Sequence, residues 1–119
     1  MTDRDFGTGA YRESAEGKGR FDLVPLFAVR AIASAMERGQ RKYGNARNWE
    51  SGIPLSCFFD SAMRHLAKAG AGFDDEDHFG AALWNIACLV ETRERIERGI
   101  LPAELADLPD TYAGQKPGF

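Results

Sequence analysis

The sequence predicts an all-α fold: three main helices in a small bundle, completed by oligomerisation. Three observations lead there. Apolar residues recur at spacings of three and four in three separate segments. No alternation of apolar and polar residues survives beyond a few positions, so no strand of useful length is expected. Three helices drawn from 119 residues bury only a modest core, which makes a homo-oligomer, dimer or tetramer, the expected way to finish it.

Composition narrows the class. With 44% hydrophobic and 28% charged residues and a net charge of -3, one ordered helical domain over 20–105 is expected, between a flexible arm at 1–19 and a tail at 106–119. The weak acidity gives no support to a nucleic acid polymer as partner. No apolar run approaches the roughly 20 residues of a membrane span, and Met1-Thr2-Asp3-Arg4-Asp5 has no signal-peptide pattern. Cys57 and Cys88 sit inside apolar helical patterns as free buried thiols, which fits a reducing compartment. A cytoplasmic protein is expected.

Residues 1–19 carry four glycines and alternating charge, the pattern of a solvated arm; Phe6 and Tyr11 leave open an arm that orders over a ligand or a neighbouring subunit. The first helix is expected from about Phe21 to Tyr43, with Asp22 as N-cap and Pro25 in its first turn. Leu26, Val29, Ala33 and Met36, widened by Ile32, form its core stripe. Its end is basic through Arg38, Arg41 and Lys42, either a solvated last turn or a reach toward phosphate. The turn chemistry of residues 44–54 predicts a loop. Within it Trp49 either plugs the core or offers a stacking surface, and Asn48 either closes an Asx turn or bonds a base edge.

The second helix is expected from Leu55 to Ala69 with Ser56 as cap. Asp60 and Arg64 are spaced for an i,i+4 pair. His65 follows Arg64 just before a Gly-Ala-Gly break, so an imidazole and a guanidinium project near one helix end, fit for an anion or a metal-bridged phosphate. The run Asp74-Asp75-Glu76-Asp77-His78 then reads in two ways. Its acids favour a helix N-terminus with Asp77 near the cap, or Asp77 with Asp74 or Asp75 supplies oxygens to a divalent cation. The third helix follows, and His78 and Asn85, two turns apart, share one of its faces with Ala81 and Ala82 between them. The charge run Glu91 to Arg98 is a solvated face, and Ile100 to Pro109 allows one short helical turn.

Five blocks, Lys18-Gly-Arg-Phe-Asp-Leu-Val-Pro25, Arg41-Lys-Tyr-Gly44, Asn48-Trp-Glu50, Arg64-His-Leu66 and His78-Phe-Gly-Ala-Ala-Leu-Trp-Asn85, resemble in order and approximate spacing the phage-associated dATP/dGTP diphosphohydrolase N-terminal family. The resemblance covers roughly residues 17–105. It implies a purine nucleotide as ligand. It also implies kinship with the all-α MazG-like nucleotide pyrophosphohydrolases, which oligomerise and use divalent metal to release pyrophosphate. Those enzymes gather Glu-x-x-Glu and Glu-x-x-Asp carboxylates around magnesium or manganese. Here the third-helix stretch reads Ala82-Leu-Trp-Asn85 and the second helix offers Asp60 and His65. The acidic tetrad is therefore absent, and a set built from His65, Asp77 and His78 is the candidate replacement.

The expected function is a pyrophosphohydrolase of dGTP or dATP dependent on Mg2+ or Mn2+. His65, Asp77 and His78 would hold the metal or act as base, Lys42 and Arg64 would meet phosphate, and Asn48, Trp49 and Asn85 would read sugar or base. The alternative is a protein that binds or sequesters a nucleotide without turnover, in a phage setting a signal of host defence in the bacterial cytosol.

Overall fold

A computed structural model describes residues 3–109. It is all-α apart from one small hairpin, with α1 at Leu26–Tyr43, α2 at Leu55–Gly70 and α3 at His78–Glu97. Single 3-10 turns stand at Phe21–Leu23, Asn48–Ser51 and Ala103–Leu105. The last is the short turn expected between prolines.

The arm departs from the expected solvated coil. β1 (Arg4–Asp5) pairs antiparallel with β2 (Tyr11–Arg12), Asp5 opposite Tyr11. Gly7 and Gly9 take positive φ in the connection, and the Asp5 carboxylate accepts from the Gly7 amide at 2.9 Å. Two residues per strand are too few to leave a visible alternation, so turn chemistry was the readable signal.

α1 begins later than its pattern suggested. Asp22 is not the cap: Arg20 donates to both its carboxylate oxygens at 2.8 Å, which holds Asp22 below the usual carboxylate range. Pro25 takes the cap position instead. The helix ends where Gly44 adopts φ 71° and its amide reaches the Gln40 carbonyl at 2.9 Å. Gln40 ties this end to the loop, donating to the Gly44 carbonyl and accepting from the Ala46 amide.

α2 starts after Pro54, and Ser56 does not cap it alone. The Asp107 carboxylate accepts from both the Ser56 amide (2.9 Å) and its hydroxyl (2.5 Å), so a residue 51 positions away satisfies the helix start. α2 and α3 both end in a paired closure around a left-handed glycine. Phe73 N–H reaches the Lys68 carbonyl over Gly72, and Ile100 N–H reaches that of Arg95 over Gly99.

α2 and α3 make the main packing contact, and α1 leans on α3. Between α2 and α3 the buried apolar residues are Leu55, Phe58, Ala62, Ala82 and Cys88; α1 adds Ala35. The stripe expected to bury α1 is displaced, with Leu26 76% exposed and Val29 also exposed. Only the C-terminal half of α1 reaches α3, where the Trp84 indole meets the Met36 sulfur. Cys57, expected to be buried, is exposed; Cys88 is buried as expected.

The Asp107 clasp carries a pH signature. The Ser56 hydroxyl, with the Ser56 amide, lowers the Asp107 pKa, so its stabilising effect is present above the unfolded value, about 3.9, and is lost as pH falls through the lower folded value. Thermal melts of Asp107→Asn should show a lower Tm than wild type at pH 7 and a smaller gap below about pH 4. A gap that does not narrow would show the clasp contributes nothing.

Candidate active site

The first turn of α3 and the end of α2 build one cluster. Asp77 caps α3, its carboxylate accepting from the Gly80 amide at 2.9 Å. A Cβ at Gly80 would run into that carboxylate, so the glycine preserves the cap. The cap holds His78 at the helix start, 3% exposed, beneath α2. There His78 Nδ1 lies 2.9 Å from His65 Nδ1, the ring centroids 5.2 Å apart.

The loop before α3 supplies acids to both rings. Asp75 Oδ1 lies 2.7 Å from His78 Nε2, and the bond holds Asp75 below the ordinary carboxylate range. A carboxylate can only accept, so His78 Nε2 carries a proton toward Asp75. Glu76 Oε1 lies 3.3 Å from His65 Nδ1 and 3.5 Å from His78 Nδ1. Burial lowers the His65 pKa, against the opposing pull of Glu76, which favours a neutral ring with a usable lone pair.

Among the described residues, His65, Glu76 and His78 offer ligand atoms that all lie within 4.8 Å of one another. Two nitrogens bound to one ion at about 2.1 Å can stand no more than about 4.2 Å apart, and the two Nδ1 atoms satisfy that bound. The donor set therefore fits a three-ligand site, and Asp75 on His78 Nε2 stands where an outer carboxylate would orient a metal-binding imidazole. The expected set had Asp77 in the place Glu76 occupies. Asp77 spends its oxygen on the helix cap. Glu76 and Asp75 were visible as members of the acidic run, but which acid turns inward depends on where the helix begins.

A cavity of about 250 Å³ opens further along the same two helices. Asn48, Trp49, Ser61, Trp84 and Asn85 are on its wall. Asn85, 6% exposed, donates Nδ2 to the Ala81 carbonyl of its own helix at 2.8 Å, which leaves its amide oxygen as the group without a helix partner. Trp49 is half-buried, with the Arg95 guanidinium 5.2 Å from its ring centroid, and its indole N–H is buried without a partner. The Asx bond in this loop belongs to Asn45, whose side chain accepts from the Arg47 amide; Asn48 remains at the cavity.

The two expected phosphate contacts are placed apart. Arg64 Nη1 donates to Asp60 at 2.7 Å and Nη2 to Ser61, which lines the cavity. Lys42 stands away from both cavity and cluster lining, its ammonium 5.2 Å from the Tyr43 ring centroid, and Arg41 pairs with Glu37. The α1 terminus is thus mainly a solvated turn.

Three helices that gather two imidazoles and a carboxylate beside an aromatic-walled cavity define a small all-α protein with a candidate hydrolytic centre. The chain belongs to the dATP/dGTP diphosphohydrolase N-terminal family, whose model matches residues 8–99. That membership supports a nucleotide hydrolase at the level of the family's name. No curated protein and no solved structure matches the chain. Among the described residues no helix is long and apolar enough to cross a membrane.

Two measurements check this geometry. Asp77→Ala should remove the α3 cap at a cost of about 1 kcal/mol, lowering Tm by roughly 4 °C; an unchanged Tm would mean that the cap is not formed. Burial pushes the Cys88 thiol up to about 12, whereas Cys57 is exposed beside the cavity. A disulfide reagent should therefore titrate one thiol in the native protein and both after denaturation.

Proposed function

We propose that the chain is a metal-dependent pyrophosphohydrolase of purine deoxynucleoside triphosphates, dGTP or dATP. Water would add to the α-phosphorus, and the bridging oxygen would leave with pyrophosphate. The observation that supports this reading is the meeting of His65, Glu76 and His78 on the same helix pair that walls the Trp49 cavity. From His78 to Asn85 is seven residues, about 10 Å of helix, a span an extended triphosphate bridges with its base in the cavity.

In this reading Trp49 and Trp84 hold the base between them and Asn48 and Asn85 offer it polar edges. Arg64, released from Asp60, meets the phosphates one residue from His65, and Lys42 takes no part. His65, His78 and Glu76 would hold the ion, which when bound neutralises phosphate charge and acidifies a water. Two imidazoles favour Mn2+ over Mg2+. Asp75 keeps the His78 proton on Nε2, and Asp77 is a positioning residue that secures the first turn. The reading also takes the chain as a homo-oligomer, because so many large apolar side chains stand uncovered.

Chromatography of dGTP and dATP incubated with the protein and Mg2+, Mn2+ or Co2+ tests the chemistry. Pyrophosphate release is expected, fastest with Mn2+, and no turnover across a nucleotide panel sinks the enzyme. Mn2+ affinity should fall about 10-fold in Asp75→Asn and further in Glu76→Gln, while Asp77→Asn keeps it. Nucleotide should also slow labelling of Cys57.

One observation favours the second reading, a nucleotide-binding protein without turnover: the three residues able to hold an ion include a single carboxylate, Glu76. A nucleotide that raises Tm yet is recovered intact after long incubation with metal would select it.

A further inference from the structure

We infer that Lys68 holds the diphosphate end of the ligand, the β- and γ-phosphates before cleavage and pyrophosphate after it, in the cleft between the end of α2 and the loop before α3. The inference rests on the nucleotide reading above and names the group that meets the far end of the chain of phosphates. Its position follows from the turn of the helix. At about 100° per residue, Cys57, Ser61, Arg64 and Lys68 fall within an arc of about 60° on α2, and Cys57 and Ser61 line the cavity. The buried Phe58 and Ala62 lie further round, toward α3. Lys68 therefore stands on the cavity side of α2. From Ser61 to Lys68 is seven residues, about 10 Å of helix, with His65 between them. A nucleotide with its base in the cavity and its α-phosphate level with His65 points its last two phosphates at Lys68, about 5 Å further along the axis.

The surroundings of Lys68 suit an amine that binds phosphate. Its carbonyl accepts from the Phe73 amide in the closure of α2, so its backbone is held. Its half-buried side chain lines a cleft of about 420 Å³ with Phe73, Asp74 and Asp75. Among the described residues its ammonium has no ion-pair partner, whereas Arg64 is taken up by Asp60 at 2.7 Å. Its charge also reaches the cluster. Lys68 adds to the lowering of the His65 pKa, behind the larger effect of burial, and to that of Asp75, behind the His78 bond.

The two carboxylates on the cleft wall set the form of the ligand. Asp75 is turned to His78 Nε2, but Asp74 has no such bond among the described residues, so a bare diphosphate would meet repulsion as well as attraction. A diphosphate that chelates a divalent cation carries both signs, its oxygens meeting Lys68 and its cation meeting Asp74. In the reaction a water oxygen bonds to the α-phosphorus and its proton passes to solvent, while the bond to the bridging oxygen breaks and that oxygen keeps the electron pair. The negative charge that grows on the diphosphate lies at Lys68, which stabilises the leaving group and leaves base and sugar untouched.

Titration calorimetry on the full chain tests this with three probes, each in Mg2+: the dGTP analogue with a methylene in place of the bridging α,β oxygen, dGMP, and inorganic pyrophosphate. Lys68→Ala should weaken the analogue and pyrophosphate about 10-fold, the weight of one hydrogen bond to a charged group, and leave dGMP unchanged. Lys68→Gln should do the same; it keeps most of the apolar stem, so it guards against a loss that comes only from packing, with far-UV circular dichroism as the folding control. Full affinity for the analogue in both variants, or equal weakening of all three probes, overturns the Lys68 site and leaves the nucleotide reading standing. A wild type that binds pyrophosphate through Lys68 but neither nucleotide overturns that reading and leaves the site. A wild type that binds none of the three overturns both.

Discussion

The close antiparallel contact of α2 with α3 is the constraint on which the rest depends. Ala62 on one helix and Ala82 on the other are both nearly inaccessible, and small side chains at facing positions allow two helix axes to approach closely. That approach brings His65 Nδ1 and His78 Nδ1 within 2.9 Å at the loop end. A larger residue at either alanine would separate the imidazoles before it harmed either helix. Leu55 and Phe58 fill the rest of the seam, while Phe59 and Leu83, one position further along each helix, stand outside it.

The imidazole pair sets a demand that the loop meets. Burial disfavours the charged form of His65, as its lowered pKa reflects. Asp75 takes the proton-bearing nitrogen of His78, and Glu76 reaches both Nδ1 atoms. The Asp77 cap makes this possible. By starting the helix at His78 it leaves Asp75 and Glu76 in the bend before it, free to fold back, where a helix begun one turn earlier would have pointed them along its own surface.

The three helices and the final short turn were legible because apolar spacing and glycine stops are local signals. So were His65, His78 and Asn85, residue types that stand out on apolar faces. Long-range pairings were not legible. Asp107 capping α2 across 51 residues, and Arg20 withdrawing Asp22 from a capping role, are choices among partners that only the folded chain brings together. Periodicity shows that Leu26, Met63 and Leu83 lie on apolar stripes, but it does not say whether the surface covering them comes from the same chain. Asp77 was legible near the cap, but that Glu76 turns toward both imidazoles depends on how the loop folds back, which no local pattern shows.

The charge of the ligand set separates the two functional readings. Two neutral imidazoles and one carboxylate carry a single negative charge, so a bound divalent ion would leave the site with a net charge of about +1. Four carboxylates around the same ion would leave it negative. A site of positive charge beside Arg64 attracts a triphosphate strongly and holds pyrophosphate nearly as well, which favours binding over release. Rapid turnover in such a site would therefore require a way to loosen the bound product.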